Sequence, residues 1–156
     1  MIFYKFKIQM SIESINKMVV RDYIEKIVNT GDMTHISDYI APDYTEVFNG
    51  QSYQVGLDGA RAHVEGVRNN YTDLRLVIDN QIAEGDWVAT CYTMTGLHAG
   101  EWMGMLPTFR MMQVTGVNTD RILDGKIIEH GGAANMLEAF LEIGAIKIVG
   151  RDTPSN

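Results

Sequence analysis

At Tyr71-Thr72-Asp73 the apolar residues stop recurring at steps of three and four and begin to alternate, and the chain stays strand-like from there to about His130. Helices first and strands afterwards describe an α+β domain, in which a sheet buries one face against the helices that precede it. Before the change, Ser11 caps a predicted helix from Ile12 to about Asn29, with Ile12, Ile15, Val19, Tyr23 and Ile27 as its apolar stripe. Gly31-Asp32 ends that helix and caps a short second one, with Met33, Ile36, Tyr39 and Ile40 inward, stopped before Pro42. Asp43 to Phe48 reads as a short strand. Asp58 caps a third helix through about Asn70, with Ala60, Val64 and Val67 buried and His63 beside them as a partly buried packing residue.

After the change come four strand-like runs: Leu74 to Ala83, Trp87 to Leu97, Phe109 to Leu123 and Lys126 to His130. Glu84-Gly85-Asp86 and Asp124-Gly125 supply turns, so the runs form a meandering antiparallel sheet curved around the helices. A last short helix over Asn135 to Gly144 presents Met136, Leu137, Phe140 and Leu141, and Gly144 stops it. The expected domain covers residues 11–146, after an N-terminal extension of residues 1–10 and before a tail of residues 147–156. Met10 reads as an alternative start, because the amphipathic run begins there; the first nine residues, too short and too interrupted for a secretory signal, are then either upstream translated sequence or an edge strand.

A net charge of -7 argues against nucleic acid, whose phosphates demand clustered Lys and Arg. No apolar run approaches the roughly 20 residues of a membrane span. The single cysteine, Cys91, cannot form an internal disulfide; it suits a small buried strand position and a reducing cytoplasm. His35, His63, His98 and His130 are scattered, with no His-Glu-x-x-His, paired cysteines or Asp-rich loop, so no metal is expected. P-loop, dinucleotide and serine-nucleophile signatures are missing as well.

Two stretches suggest a pocket. The connection Gly96-Leu97-His98-Ala99-Gly100-Glu101-Trp102-Met103-Gly104-Met105-Leu106-Pro107-Thr108 is far longer than a hairpin needs. It either shapes a concave wall, with His98 a donor or base, or caps the core with Trp102 and Met103. The second stretch is the hairpin at Asp124-Gly125, whose register decides which polar groups share a face. A three-residue loop Leu123-Asp124-Gly125 sets Asn118 opposite His130 and is the favoured pairing; a two-residue turn sets Thr119 there instead. In the favoured pairing His130 and Asn118 face the concave side together, either as an acid/base and a carbonyl-orienting amide or as a structural hydrogen bond.

Tyr23-Ile24-Glu25, Asn29-Thr30-Gly31-Asp32, Ala41-Pro42-Asp43-Tyr44, Thr72-Asp73-Leu74, the Gly96 to Thr108 loop and Asp124-Gly125-Lys126-Ile127-Ile128-Glu129-His130 together resemble the SnoaL-like polyketide cyclases. That family belongs to the nuclear transport factor two-like superfamily. The resemblance implies a cone-shaped α+β barrel with a deep pocket, and an enzyme that closes a ring by intramolecular aldol condensation of a hydrophobic polyketide carbonyl compound without metal or organic cofactor. It also implies an aspartate acid/base just after the last strand, but Gly131-Gly132-Ala133-Ala134-Asn135 contains no carboxylate. Asn135 stands where many relatives carry an acid, and Val47 where they often carry a histidine.

His130 and Asn118 therefore lead the catalytic candidates, followed by His98 and, if the register differs, Asp120. Tyr23, Asn49, Trp102, Met103 and Asn135 are candidate substrate contacts, with core packing the alternative for Tyr23 and Trp102. Related isomerase or dehydratase chemistry is compatible with the same groups. A second reading is a non-catalytic ligand-binding or scaffold protein that has lost the family carboxylate. A homodimer is expected, because Phe109, Met111 and Val117 give the outer sheet face an apolar patch.

Overall fold

The computed structural model describes residues 10–150; the proposed extension before Met10 and the tail after Gly150 lie outside them. Helix α1 spans Ile12–Tyr23, capped by the Ser11 hydroxyl accepting from the Ser14 N–H, and continues into a π-helical turn over Ile24–Val28. Its buried face follows the expected stripe only in part, at Ile27 and, half-buried against the core, at Val19 and Tyr23. Asn16, Val20, Ile24 and Ile27 point inward, whereas Ile12 and Ile15 are exposed. Asn16 accounts for the rotation: its amide donates to Gly85 O at 3.1 Å and pins the helix to a β-turn. A buried polar group with a fixed partner thus outweighs two isoleucines in the first turn.

Only a 3-10 turn, Ile36–Asp38, occupies the predicted second helix, and strand β1 (Ile40–Phe48) begins early and runs through Pro42. Its pairing shifts between Ile40 and Thr45, an irregularity that tolerates a residue without an N–H. Strand β2 (Gln51–Gln54), unforeseen in the sequence, pairs with β1 across the Asn49-Gly50 turn, where both residues take positive φ. Helix α2 (Gly56–Asn70) passes directly into β3 (Tyr71–Glu84), followed by β4 (Trp87–His98), β5 (Met111–Leu123), β6 (Lys126–Ala134) and helix α3 (Met136–Glu142). On α3 the buried residues are Ala139 and Phe140, while Leu137 faces out.

The sheet order is β2-β1-β6-β5-β4-β3. The β3 to β6 meander is antiparallel as expected, but β1 joins β6 in parallel, so the sheet is mixed. The curved sheet remains open and wraps around α1 and α2. Alternate residues of β4 (Val88, Thr90, Tyr92, Met94, His98) and β5 (Met112, Val114, Asp120, Ile122) face the interior. Cys91 falls on the other parity and is half-buried on the outer side, not in the core.

The connection after β4 is tied to the end of α2: the Ala99 and Gly100 N–H groups both donate to Asn70 O, at 3.0 and 3.1 Å. A Cβ on Gly100 would lie 2.5 Å from Asn69 O and 2.8 Å from Asn70 Cα, and backbone cannot step aside. Gly100→Ala is expected to destabilise the fold by about 1–3 kcal/mol. Urea unfolding checks this through a lowered midpoint at unchanged slope.

Candidate functional site

A cavity of about 130 Å³ lies between α1, α2 and the concave side of the sheet. Val20, Ile24, Leu74, Leu76 and Met94 give it apolar walls, and Tyr23, Tyr44, His63, Asn118, Asp120 and His130 bring polar groups to it. The π-helical turn contributes Ile24 and Val28 to the wall. Of the predicted residues, His130, Asn118, Asp120 and Tyr23 are brought together here.

The hairpin that positions three of them adopts neither register anticipated. Leu123 pairs with Lys126 and Ile122 with Ile127, as in a two-residue turn, but Arg121 then pairs with Glu129, leaving Ile128 as an extra residue in β6. This bulge sets Asp120 opposite His130, and Asn118 opposite Gly132. The favoured pairing was wrong by two residues along β5. Two residues restore the same face, so both Asn118 and His130 still line the cavity.

His130 Nδ1 stands 2.7 Å from Asp120 Oδ1, with the side chains 20% and 4% exposed. A carboxylate only accepts, so Nδ1 carries the proton and Nε2 is left free for chemistry. Burial by itself would lower the His130 pKa, but the charge of Asp120, the hydrogen bond to it and the charge of Glu46 together raise it above the ordinary value. Asp120 thus makes the imidazole a stronger base and fixes its tautomer.

Across the cavity, His63 Nδ1 donates to Glu46 Oε1 at 2.7 Å, and the Tyr44 hydroxyl donates to the same oxygen at 3.3 Å. Burial would raise the Glu46 pKa, yet the His63 bond and charge, with His130 and Tyr44 behind them, hold it below the usual carboxylate range. Burial, reinforced by nearby carboxylates, pushes the Tyr23 and Tyr44 phenols up, so both stay neutral donors. His63 is therefore more than the packing residue expected. Tyr44 and Tyr92, which line the cavity, and Glu46, which holds His63, were missed, although alternation along β1 places Tyr44 and Glu46 on one face. Nothing local signals that β1 lies parallel to β6 with Glu46 paired to His130.

The other candidates lie elsewhere. His98 is 0% exposed, outside the cavity lining, with its ring between Tyr71 and Phe140. The Thr108 N–H donates to its Nδ1 at 3.4 Å, and its Nε2 has no partner among the described residues. It fastens the two ends of the loop, a role forced by its burial. Trp102 packs on Tyr71 and Phe140, Met103 is 82% exposed, and Asn49 sits in the exposed β1–β2 turn. Asn135, at the surface, donates to Glu138 Oε2 and precedes α3. None of these four lines the cavity. Among the described residues no group of three or more His, Cys, Asp or Glu converges as metal ligands would, and no helix is long and apolar enough to cross a membrane.

The His130 titration is directly observable. Its midpoint by NMR is expected above about 6.5, and Asp120→Asn should bring it down, since burial then acts with less opposition. A raised folded-state value favours the protonated fold, so this contribution to stability is fully present below about pH 6.5 and is lost as pH rises through the raised value.

Residues 17–143 match the sequence profile of the SnoaL-like polyketide cyclases. Nogalonic acid methyl ester cyclase from Streptomyces nogalater is 33% identical over 107 residues, covering 65% of this chain and 78% of that protein. Aklanonic acid methyl ester cyclase AcmA from Streptomyces galilaeus is 30% identical over 106 residues, covering 65% and 72%. Among solved structures, AclR from Streptomyces galilaeus superposes with a TM-score of 0.75 at 26% identity, covering 89% of this chain and 87% of that one.

Proposed function

The chain belongs to the SnoaL-like polyketide cyclase family, and from that premise we propose that it is an acid/base enzyme, working without a cofactor, that closes a ring in a hydrophobic polyketide-like carbonyl compound by intramolecular aldol condensation. The observation that carries this reading is the His130–Asp120 pair, a charge-supported imidazole at 2.7 Å in a mostly apolar cavity. It supplies an acid/base where the segment Gly131 to Asn135 has none.

In the proposed step, His130 Nε2 takes a proton from the carbon beside one carbonyl, and the electrons of that C–H bond form an enolate. The enolate carbon attacks a second carbonyl carbon of the same molecule, making the C–C bond and turning that carbonyl oxygen into an alkoxide. One proton returned to the alkoxide completes an isomerisation with no atom gained or lost. The Asn118 amide and the neutral Tyr23 hydroxyl are suited to bind the oxygens on which charge develops. The volume of about 130 Å³ is close to the size that accepts one benzene ring. The reacting end therefore enters, and the rest of a polycyclic substrate extends beyond the cavity.

The test is incubation with nogalonic acid methyl ester and aklanonic acid methyl ester, following ring closure by chromatography and NMR. Conversion to a product of unchanged mass, abolished in His130→Gln, is the expected result; conversion that persists at full rate in His130→Gln removes this residue from the chemistry. The same reading includes a cytoplasmic homodimer. Met111 and Val117 on the outer face of β5 are exposed by 61% and 41%, a patch that a second copy could cover, whereas Phe109 falls in the loop before the strand. Light scattering at micromolar concentration should give about twice the chain mass of 17.5 kDa; a monomer refutes the dimer.

A further inference from the structure

Resting on the reading above, we propose that His63, oriented by Glu46, is the second proton-transfer residue of the site and gives the alkoxide a proton in place of the one that His130 removes from carbon. Both histidines are built alike. Each uses Nδ1 to donate to a carboxylate at 2.7 Å, Asp120 for His130 and Glu46 for His63, and so each keeps Nε2 for another partner. The rings lie edge to face with centroids 5.8 Å apart, close enough to serve one substrate yet too far to bond directly to each other.

Their exposures divide the labour. The His130 side chain is 20% exposed against 42% for His63, so His63 is the one in ready exchange with solvent. Glu46 sits on β1 opposite His130 in the parallel register and lines up one carboxylate beside each imidazole. The titratable and charged groups facing the pair are Tyr23 from α1, Tyr44 and Glu46 from β1, Arg68 from α2, Tyr92 from β4 and Asp120 from β5. Arg68 is committed elsewhere, donating to Val28 O and Asn29 O at 2.9 and 3.1 Å.

The protons balance over a turnover. His130 gains one at Nε2 from the substrate carbon; His63 loses one from Nε2 to the alkoxide. Release from His130 to water and uptake by His63 from water restore both.

Two readouts test this in the full-length protein. By NMR titration, His63→Gln should move the His130 midpoint upward, because Glu46 loses its hydrogen-bond donor and its charge is left uncompensated beside His130, while Glu46→Gln should move it downward. A His130 midpoint that stays put in both variants overturns the proposal, whether or not either ester is a substrate. With nogalonic or aklanonic acid methyl ester, His63→Gln should lower kcat by about tenfold to hundredfold with little change in KM, and convert a two-limbed pH profile into a single rising limb. Wild-type kcat in His63→Gln with an inactive His130→Gln refutes the second residue alone. Full activity in both variants refutes the reading of the site itself.

Discussion

Asp120→Asn is expected to lower kcat by about 10²–10⁴-fold while the protein still folds. The shape of the side chain is retained, but an amide presents either an oxygen without the charge or an NH₂ that would face a donor. The imidazole Nδ1 then keeps at most a neutral hydrogen bond, so no charge holds the proton there and Nε2 is no longer held unprotonated. Its basicity falls as well, because the charge of Asp120 is the foremost influence raising it. If His130 acts as the base, the rate of the wild type rises with pH as the imidazole loses its proton, and the limb lies above about 6.5. In Asp120→Asn the limb moves to lower pH and the plateau drops. A variant with unchanged kcat and an unmoved limb would show that the pair is only a structural hydrogen bond. Circular dichroism separates either outcome from unfolding.

The largest expected loss of stability is in Ile127→Ala, about 2–5 kcal/mol by denaturant unfolding. Ile127 is 0% exposed, and its N–H donates to Tyr39 O at 2.7 Å, which locks the start of β6 to the segment entering β1. Removing the side chain leaves a void among residues that already pack tightly, including Ile36 and Ile40. Ile127 also immediately precedes the bulge at Ile128. With it buried, the extra residue is accommodated on its C-terminal side and His130 is delivered opposite Asp120. A loosened β6 should therefore reduce activity under conditions where the variant remains folded. Ile148→Ala, at a position 60% exposed, is the control expected to stay within about 0.5 kcal/mol of the wild type.

The sequence by itself determined the class of fold, the order of most elements and the side of the sheet that His130 and Asn118 face. Those follow from local periodicity: alternation along β3 to β6, helical spacing in α1 and α2, and turn residues such as Asp124-Gly125, each a property of neighbouring residues. Parity survived even the error in register, which is why Asn118 and His130 were correctly placed on the concave face. What only the tertiary structure decided was who stands beside whom. The bulge at Ile128 chose Asp120 as the partner of His130, the parallel seating of β1 on β6 set Glu46 opposite His130 and within hydrogen-bond reach of His63, and His98 and Trp102 pack against Tyr71 and Phe140, outside the cavity lining. Such pairings are set by side-chain packing and backbone hydrogen bonds between segments distant in the chain. They leave no period in the sequence around any one of the residues they unite.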